Sequence, residues 1–289
     1  MRAWIDMTGV RFAPAWHVAP SAFGSALVRM ALCAGAALLP SLAAAADRPV
    51  VRACGHHDYP PWNWQQDAHI VGVCADVARR AIERLGYRVD LGFVGPWKRC
   101  QEMVASGDVD VNICAFRNPE RERYAVFSEP RMAQNRIAVF VPADKVSSLR
   151  AQPWQALAGS RTGLVLGVSM GPDFDAFLER ETQVSRVSVV QQALRMLTLG
   201  RLDIVPFGWE AGLIEIERAG LAGRVLPLEH PALVGDLWLS VSKRSPLAGR
   251  IQEVGAYFAR PEYAEELRTL LAEHHRRALQ REAPGASAR

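Results

Sequence analysis

The chain has 289 residues, of which 49% are hydrophobic and 22% charged; this is ordinary globular composition, long enough for one large core or for two lobes of about 100 residues each. The formal net charge is +4, and Arg2, Arg11 and Arg29 against Asp6 place +2 of it in residues 1–46, leaving +2 (4 − 2) for the rest. The rest carries no long Lys/Arg run, so the basic stripe that nucleic-acid binding needs is missing and that class is set aside.

The first feature in chain order is Arg29 followed by an Ala- and Leu-rich run ending at Ala44-Ala45-Ala46 and then Asp47. A basic residue, a short apolar stretch and an A-x-A site predict a secretory signal cleaved near Ala46, and a periplasmic protein. The apolar run is too short and too rich in alanine for a good membrane span. Residues 1 to about 25 have no secretory pattern and read as a start codon placed too early. Of the five cysteines, Cys33 falls within the signal region, leaving Cys54, Cys74, Cys100 and Cys114. An even number in an exported chain predicts disulfides, and the spacings match no C-x-x-C metal or redox motif. All three pairings are open at this point.

Residues 50–54 read as a strand, 76–85 as an amphipathic helix closed by Gly86, and 87–93 as a second strand. A helix from Pro96 to Ser106 stops at Gly107, with proline at its start and glycine after its end. Residues 109–114 form a third strand, and Asn118-Pro119 a cap and first-turn pair. This βαβαβ order predicts a parallel sheet with helices on its faces. After a strand over 136–141 the pattern restarts, with strands at 162–166, 186–190 and 202–206 and helices at 173–180, 191–199 and 209–219. A last strand at 237–241 precedes helices at 247–258 and 262–279, and residues 280–289 read as a frayed tail. The two α/β units have no exact repeat between them, so they predict two similar lobes rather than a duplicated array.

Four clusters could carry chemistry. Tyr59-Pro60-Pro61-Trp62-Asn63-Trp64 follows the first strand, where ligands of open α/β sheets bind, and offers flat rings with polar handles. Arg117 and Arg121 flank a predicted helix start, where guanidinium and backbone N–H groups suit a carboxylate; the alternative for such arginines is a surface pair with Glu120 or Glu122. Gly167-Val168-Ser169-Met170-Gly171 can present donors to an anion, or be a plain turn. Glu210, at the start of the 209–219 helix, can meet a ligand amine, act as an acid/base, or cap the helix. His56-His57-Asp58 has no clear third ligand, so no metal is expected, and no motif for a cofactor is found.

The ordered stretches YPPWNW, GVCADVARRAIERLG, PWKRCQEMVASGDVDV, PERERYAVFSEP, LAGSRTGLVLGVS, LTLGRLDIV and LWLSVSKRSPLAGRI resemble the family 3 extracellular solute-binding proteins, the polar amino-acid class that feeds ABC transporters. The resemblance implies a two-lobed, type II periplasmic binding protein-like α/β fold. Each lobe is a mostly parallel sheet flanked by helices, and two crossover strands join them. It places lobe 1 at 47–133 plus 235–289 and lobe 2 at 134–234. It implies that Tyr59 stacks on the ligand, that Arg121 clamps a carboxylate and that Ser169 closes from lobe 2. Trp62, Trp97, Arg117 and Glu210 complete the expected ligand-binding set, with no catalytic residue and no cofactor.

The family's strand order makes Cys54 and Cys114 neighbours and implies the pairs Cys54–Cys114 and Cys74–Cys100. Two departures stand out: the segment 113–117 is one residue shorter than the common spacing, and an acid for the ligand amine is expected near Gly208, where Gly208 and Trp209 cannot serve and only Glu210 is close. The implied partners are a small carboxylate-bearing ligand, an amino acid or a relative, and an ABC permease, with the chain itself a monomer. The alternatives are a sensory binding protein reporting to a membrane receptor, and a dehydratase-like enzyme on the same fold using Glu210.

Overall fold

The computed structural model describes residues 48–280; the expected signal region, its cleavage site and the tail beyond Gln280 lie outside the described residues. β1 (Val50–Cys54) is followed by a small antiparallel meander, β2 (Asp58–Tyr59), β3 (Asn63–Gln66) and β4 (His69–Val71). α1 (Val73–Glu83), β5 (Arg88–Asp90), α2 (Trp97–Ser106) and β6 (Val111–Ala115) come next. β1 pairs in parallel with both β5 and β6, as the βαβαβ pattern predicts. The aromatic stretch read as a loop is therefore partly strand. Its turn seats the helix that follows. The N–H groups of Val73 and Cys74, unpaired donors at a helix start, donate to the carbonyls of Pro61 and Trp62 at 3.1 and 2.8 Å. That seat lets α1 begin three residues before the predicted helix.

The chain continues through α3 (Pro119–Glu122), β7 (Ala125–Phe127) and the long β8 (Ala133–Pro142). The second unit comprises β9 (Arg161–Val165), α4 (Pro172–Glu181), β10 (Gln183–Val187), α5 (Val190–Thr198), β11 (Val205–Gly208) and α6 (Trp209–Arg218). β9 and β10 are parallel, and Thr162 bridges in parallel to Ile204 just before β11. β12 (Val225–Pro227), β13 (Leu233–Ser242), α7 (Ile251–Phe258) and α8 (Tyr263–Gln280) complete the fold. The strand predicted at 186–190 lies at Gln183–Val187, because Val190 is buried as the first residue of α5 rather than as a strand end. The strand predicted at 202–206 lies at Val205–Gly208, which carries Gly208 into the sheet.

The main sheet runs β11-β8-β13-β6-β1-β5. β13 is shared: its residues 233–237 pair antiparallel with β8, while Ser240, Val241 and Ser242 pair with β7. β8 is shared too, since Ile137–Phe140 pairs with β11 while Ala133–Ile137 pairs with β13. These two long antiparallel strands are the connectors between two α/β lobes, and the fold is of the two-lobed type II binding-protein kind.

The cysteines are joined as Cys54–Cys100 and Cys74–Cys114, with Cα separations of 5.9 and 5.8 Å. The expected pairs, Cys54–Cys114 and Cys74–Cys100, are thus corrected. Strand proximity was the wrong guide, because the side chains point to opposite faces. Right-handed crossovers from β1 out to β5 and back to β6 put α1 and α2 on opposite faces. Cys54 is opposite Asn112 in the β1–β6 register, and strict alternation would turn Cys114 to the same side. The β6–β13 register shifts, the four residues from Asn112 to Ala115 facing the three from Ser240 to Trp238. That bulge re-aims the residues beyond it. Cys114 reaches Cys74 on α1, while Cys54 and Ala115 pack with Cys100 and Trp97 of α2.

Candidate functional site

The carboxyl ends of β1 and β6, the start of α2 and helix α3 meet the turn after β9. They enclose a cavity of about 30 Å³ lined by His56, Tyr59, Trp97, Phe116, Arg121 and Ser169, among others. Four of the seven residues singled out from the sequence therefore converge on one place, and they come from both α/β lobes.

Arg121 is held by local structure. Asn118 caps α3, its side chain accepting the Arg121 backbone N–H at 2.9 Å. That N–H, expected to face an anion, is thereby used within the chain. The guanidinium is buried, at 5% exposure. Its Nη1 donates to the Phe116 carbonyl at 2.6 Å and its Nη2 to the Gly167 carbonyl across the cleft at 3.2 Å. It lies over the Trp97 ring, 5.6 Å from the centroid. Among the described residues no carboxylate forms an ion pair with it. Burial pulls its pKa down, while Tyr124 and Asp175 oppose the shift; an arginine stays charged all the same.

The opposite wall is the turn after β9. Gly167 takes a left-handed φ of 76°, which a side chain would strain. This turns its carbonyl to the first lobe, where it accepts Trp97 Nε1–H at 2.8 Å as well as Arg121. Ser169 donates its hydroxyl to Asp175 Oδ2 at 2.5 Å, and the Met170 N–H donates to Asp175 Oδ1 at 2.9 Å. Asp175, on the first turn of α4, thus has both oxygens engaged by its own loop. Burial raises its pKa, against these hydrogen bonds.

Tyr59 forms the floor. Its ring meets Phe207 edge-on at 4.9 Å, and its hydroxyl accepts from Asn135 Nδ2 at 2.6 Å. The hydroxyl rests on Gly208, where a Cβ would come within 2.1 Å of it. Burial pushes the Tyr59 pKa up, so the phenol is neutral. At Gly208, near which an acid for a ligand amine is expected, a phenol is packed on the glycine.

Three expected residues are elsewhere. Trp62 is buried in the core beneath α1 and does not line the cavity. Its turn is committed to seating that helix. Arg117 is at the surface, paired with Glu122 at 2.5 Å and Glu129 at 2.8 Å, which is the surface alternative read from the sequence. Glu210 does not line the cavity: its Oε1 pairs with Arg136 at 2.7 Å, its Oε2 is buried without a hydrogen-bond partner, and Arg136 in turn lies over Trp209 at 4.9 Å.

Other contributors had no sequence signal pointing to this site. His56 lines the cavity; its position at the carboxyl end of β1 was the available clue. Asn135 sits on β8 with nothing to mark it. A second contact joins the lobes beside the cavity, where Gln191 at the start of α5 donates to Asp58 Oδ2 at 2.7 Å and to Glu215 Oε2 at 2.6 Å. Glu215 also accepts from Arg218 at 2.5 Å. Burial and the neighbouring Asp58 raise the Glu215 pKa, outweighing Arg218.

The solved structures similar to this chain share the fold. One is a histidine kinase sensor domain with similarity to periplasmic binding proteins, 20% identical, covering 78% of this chain and 96% of that one at a TM-score of 0.66. A second is the amino acid ABC transporter substrate-binding protein AbpA from Streptococcus pneumoniae bound to L-arginine, 16% identical, covering 80% and 97% at 0.65. A third is the GluR0 ligand-binding core in complex with L-glutamate, 16% identical, covering 80% and 98% at 0.62. No sequence among the curated proteins matches the chain. The two lobes, the connecting strands and the cleft residues agree with the match of residues 51–273 to a family model, and the chain belongs to the bacterial extracellular solute-binding proteins of family 3.

Proposed function

We propose that the protein captures a small carboxylate-bearing compound between its lobes outside the cytoplasm and presents it to the permease of an ABC transporter. Amino acids and their relatives form the candidate set. One observation carries this reading: a buried arginine, hydrogen-bonded to two backbone carbonyls and set over an aromatic ring, lines the inter-lobe cavity with no carboxylate of the described residues ion-paired to it. A guanidinium in that setting suits a bidentate carboxylate. The neighbours bound to L-arginine and to L-glutamate support the ligand class.

The hinge is assigned to the shared strands β8 and β13, with residues 47–133 and 235–289 as one lobe and 134–234 as the other. A cavity of about 30 Å³ is of the order of one water. Entry of a ligand of several atoms therefore requires the lobes to part, a motion within the repertoire of such proteins. Tyr59 and Trp97 then contribute ring faces and Ser169 closes from the second lobe.

Likeness to a histidine kinase sensor domain supports a second reading, in which the same capture reports to a membrane receptor. Both readings share the cleft and differ in the partner. Glu210, the residue of the dehydratase-like alternative, is ion-paired with Arg136 and does not line the cavity.

The test is calorimetry of the purified protein against acids selected by thermal shift, since a ligand of the native state raises the melting temperature. Arg121→Ala is expected to weaken binding at least a hundredfold, about 2.7 kcal/mol, with the circular dichroism spectrum unchanged. Unchanged affinity would remove the carboxylate clamp.

A further inference from the structure

The polar atoms around the cavity are unequally divided by kind. His56 is buried at 6% exposure, and its Nδ1 accepts the Asp58 backbone N–H at 3.0 Å. An imidazole nitrogen that accepts carries no proton in the neutral ring. Burial, with His57 stacked alongside at 5.2 Å, keeps His56 neutral. The proton is therefore on Nε2, and Nε2 is a buried donor without a partner. The ring sits between Tyr59 and Trp97, 5.4 and 5.3 Å away, so both sides of the imidazole are fixed.

Arg121 supplies the other strong donor. Against these donors, no carboxylate lines the cavity among the described residues. Asp175 has its oxygens filled by Ser169 and Met170, and Glu210 is paired with Arg136. The unpartnered acceptors nearby are the neutral amide oxygen Asn63 Oδ1 and, outside the cavity lining, the neutral amide oxygen Asn135 Oδ1 and Glu210 Oε2; Asn63 Oδ1 lies over Gly55, where a Cβ would come within 2.8 Å of it. Gly208 cannot be the site of a compensating acid while the Tyr59 hydroxyl rests on it. An ammonium group brought here would meet a guanidinium and an N–H donor and find no carboxylate lining the cavity, and a buried charge without a paired counter-charge is strongly disfavoured.

We propose that the cleft selects a small organic acid without an ammonium group, its carboxylate held by Arg121 and a second acceptor atom held by the Nε2–H of His56. The inference rests on the carboxylate reading above and narrows it: α-amino acids are rejected, and His56 is the residue that distinguishes acids bearing a second acceptor.

The experiment is calorimetry of the purified protein with matched pairs: pyruvate against alanine, 2-oxoglutarate against glutamate, and pyroglutamate against proline. At least one ammonium-free member is expected to bind, ten times or more tightly than its partner. His56→Phe should weaken that binding at least tenfold, and His56→Gln, which keeps an N–H donor, should restore part of the loss. If His56→Phe fails to fold, the comparison of His56→Gln with the wild type across the pairs, together with the pair selectivity itself, decides the matter. An amino acid that binds as tightly as its partner, with Arg121→Ala abolishing both, overturns this inference and leaves the carboxylate clamp standing. Affinity unchanged in His56→Phe overturns it as well. Binding by no member of any pair, or binding indifferent to Arg121→Ala, removes the carboxylate reading and this inference with it.

Discussion

The two walls of the cleft are built from different materials. The first wall presents side chains, with the Arg121 guanidinium, the His56 imidazole and the Trp97 indole each fixed by packing. It is also braced covalently. Cys54–Cys100 ties the end of β1 to α2, and Cys74–Cys114 ties the end of β6 to α1. All four cysteines of the described residues belong to this wall. The second wall offers a peptide carbonyl at Gly167, a serine hydroxyl already committed to Asp175, and a bare Cα at Gly208. On the proposed function, recognition is thus preorganised on one side, and the other side is a surface of small groups that fits against it. A rigid first wall keeps the ordering cost of binding low.

The strongest break in this contrast is removal of the braces. Replacing Cys54 and Cys100 together by serine, or Cys74 and Cys114, should cost about 2–5 kcal/mol of stability. Denaturant melts would read this, and binding should weaken further because the braces end at the cavity. Gly208→Ala tests the close fit of the walls. Its Cβ would collide with the Tyr59 hydroxyl, so a loss of about 1–3 kcal/mol is expected; Gly208→Ala combined with Tyr59→Ala should recover part of it.

A smaller effect concerns Gln191, Asp58 and Glu215 at the side of the cleft. Glu215 has a folded pKa above its unfolded value of 4.5. The native state therefore holds more protons than the unfolded chain from pH 4.5 up to that raised pKa. Its contribution is full below pH 4.5 and falls as pH rises through the window. The slope has a ceiling of about 1.4 kcal/mol per pH unit for one proton, and Glu215→Gln should flatten it in melts taken from pH 4 to pH 7. The smallest effect is the control. Arg117→Ala removes an exposed pair with Glu122 and Glu129, so stability should change by less than about 0.5 kcal/mol and affinity not at all. A large loss of affinity in Arg117→Ala would reverse the roles of the two arginines.

Much of this architecture was legible in the sequence. The Asn118-Pro119 cap seats α3 as read and places Arg121 on the cleft. Tyr59 stands out in the sequence because strand ends in α/β sheets are where ligands bind, and Ser169 because glycines and a hydroxyl between strand and helix can present donors; both line the cavity. The unread features have physical reasons. The disulfide pairing turned on a bulge in β6, which reverses the facing of Cys114 and leaves no mark in composition or alternation. Arg117 and Arg121 are four residues apart with the same chemistry, and only packing separates the surface one from the buried one. His56 beside His57 invites a metal reading that finds no clear third ligand, and which ring nitrogen takes the Asp58 N–H is not written in the sequence. The meander β2–β4 was hidden because the Pro60-Pro61 pair inside it reads as a loop.

The Gly167 carbonyl has a further consequence. It accepts donors from both Trp97 and Arg121, so in this closed arrangement a peptide oxygen satisfies the groups a carboxylate would take. Under the proposed function, ligand capture is then an exchange of one acceptor for another rather than the filling of an idle site. The measured affinity equals the intrinsic affinity scaled by the fraction of molecules in which that oxygen has let go. Any change that loosens the turn at Gly167 would therefore tighten binding without touching the ligand.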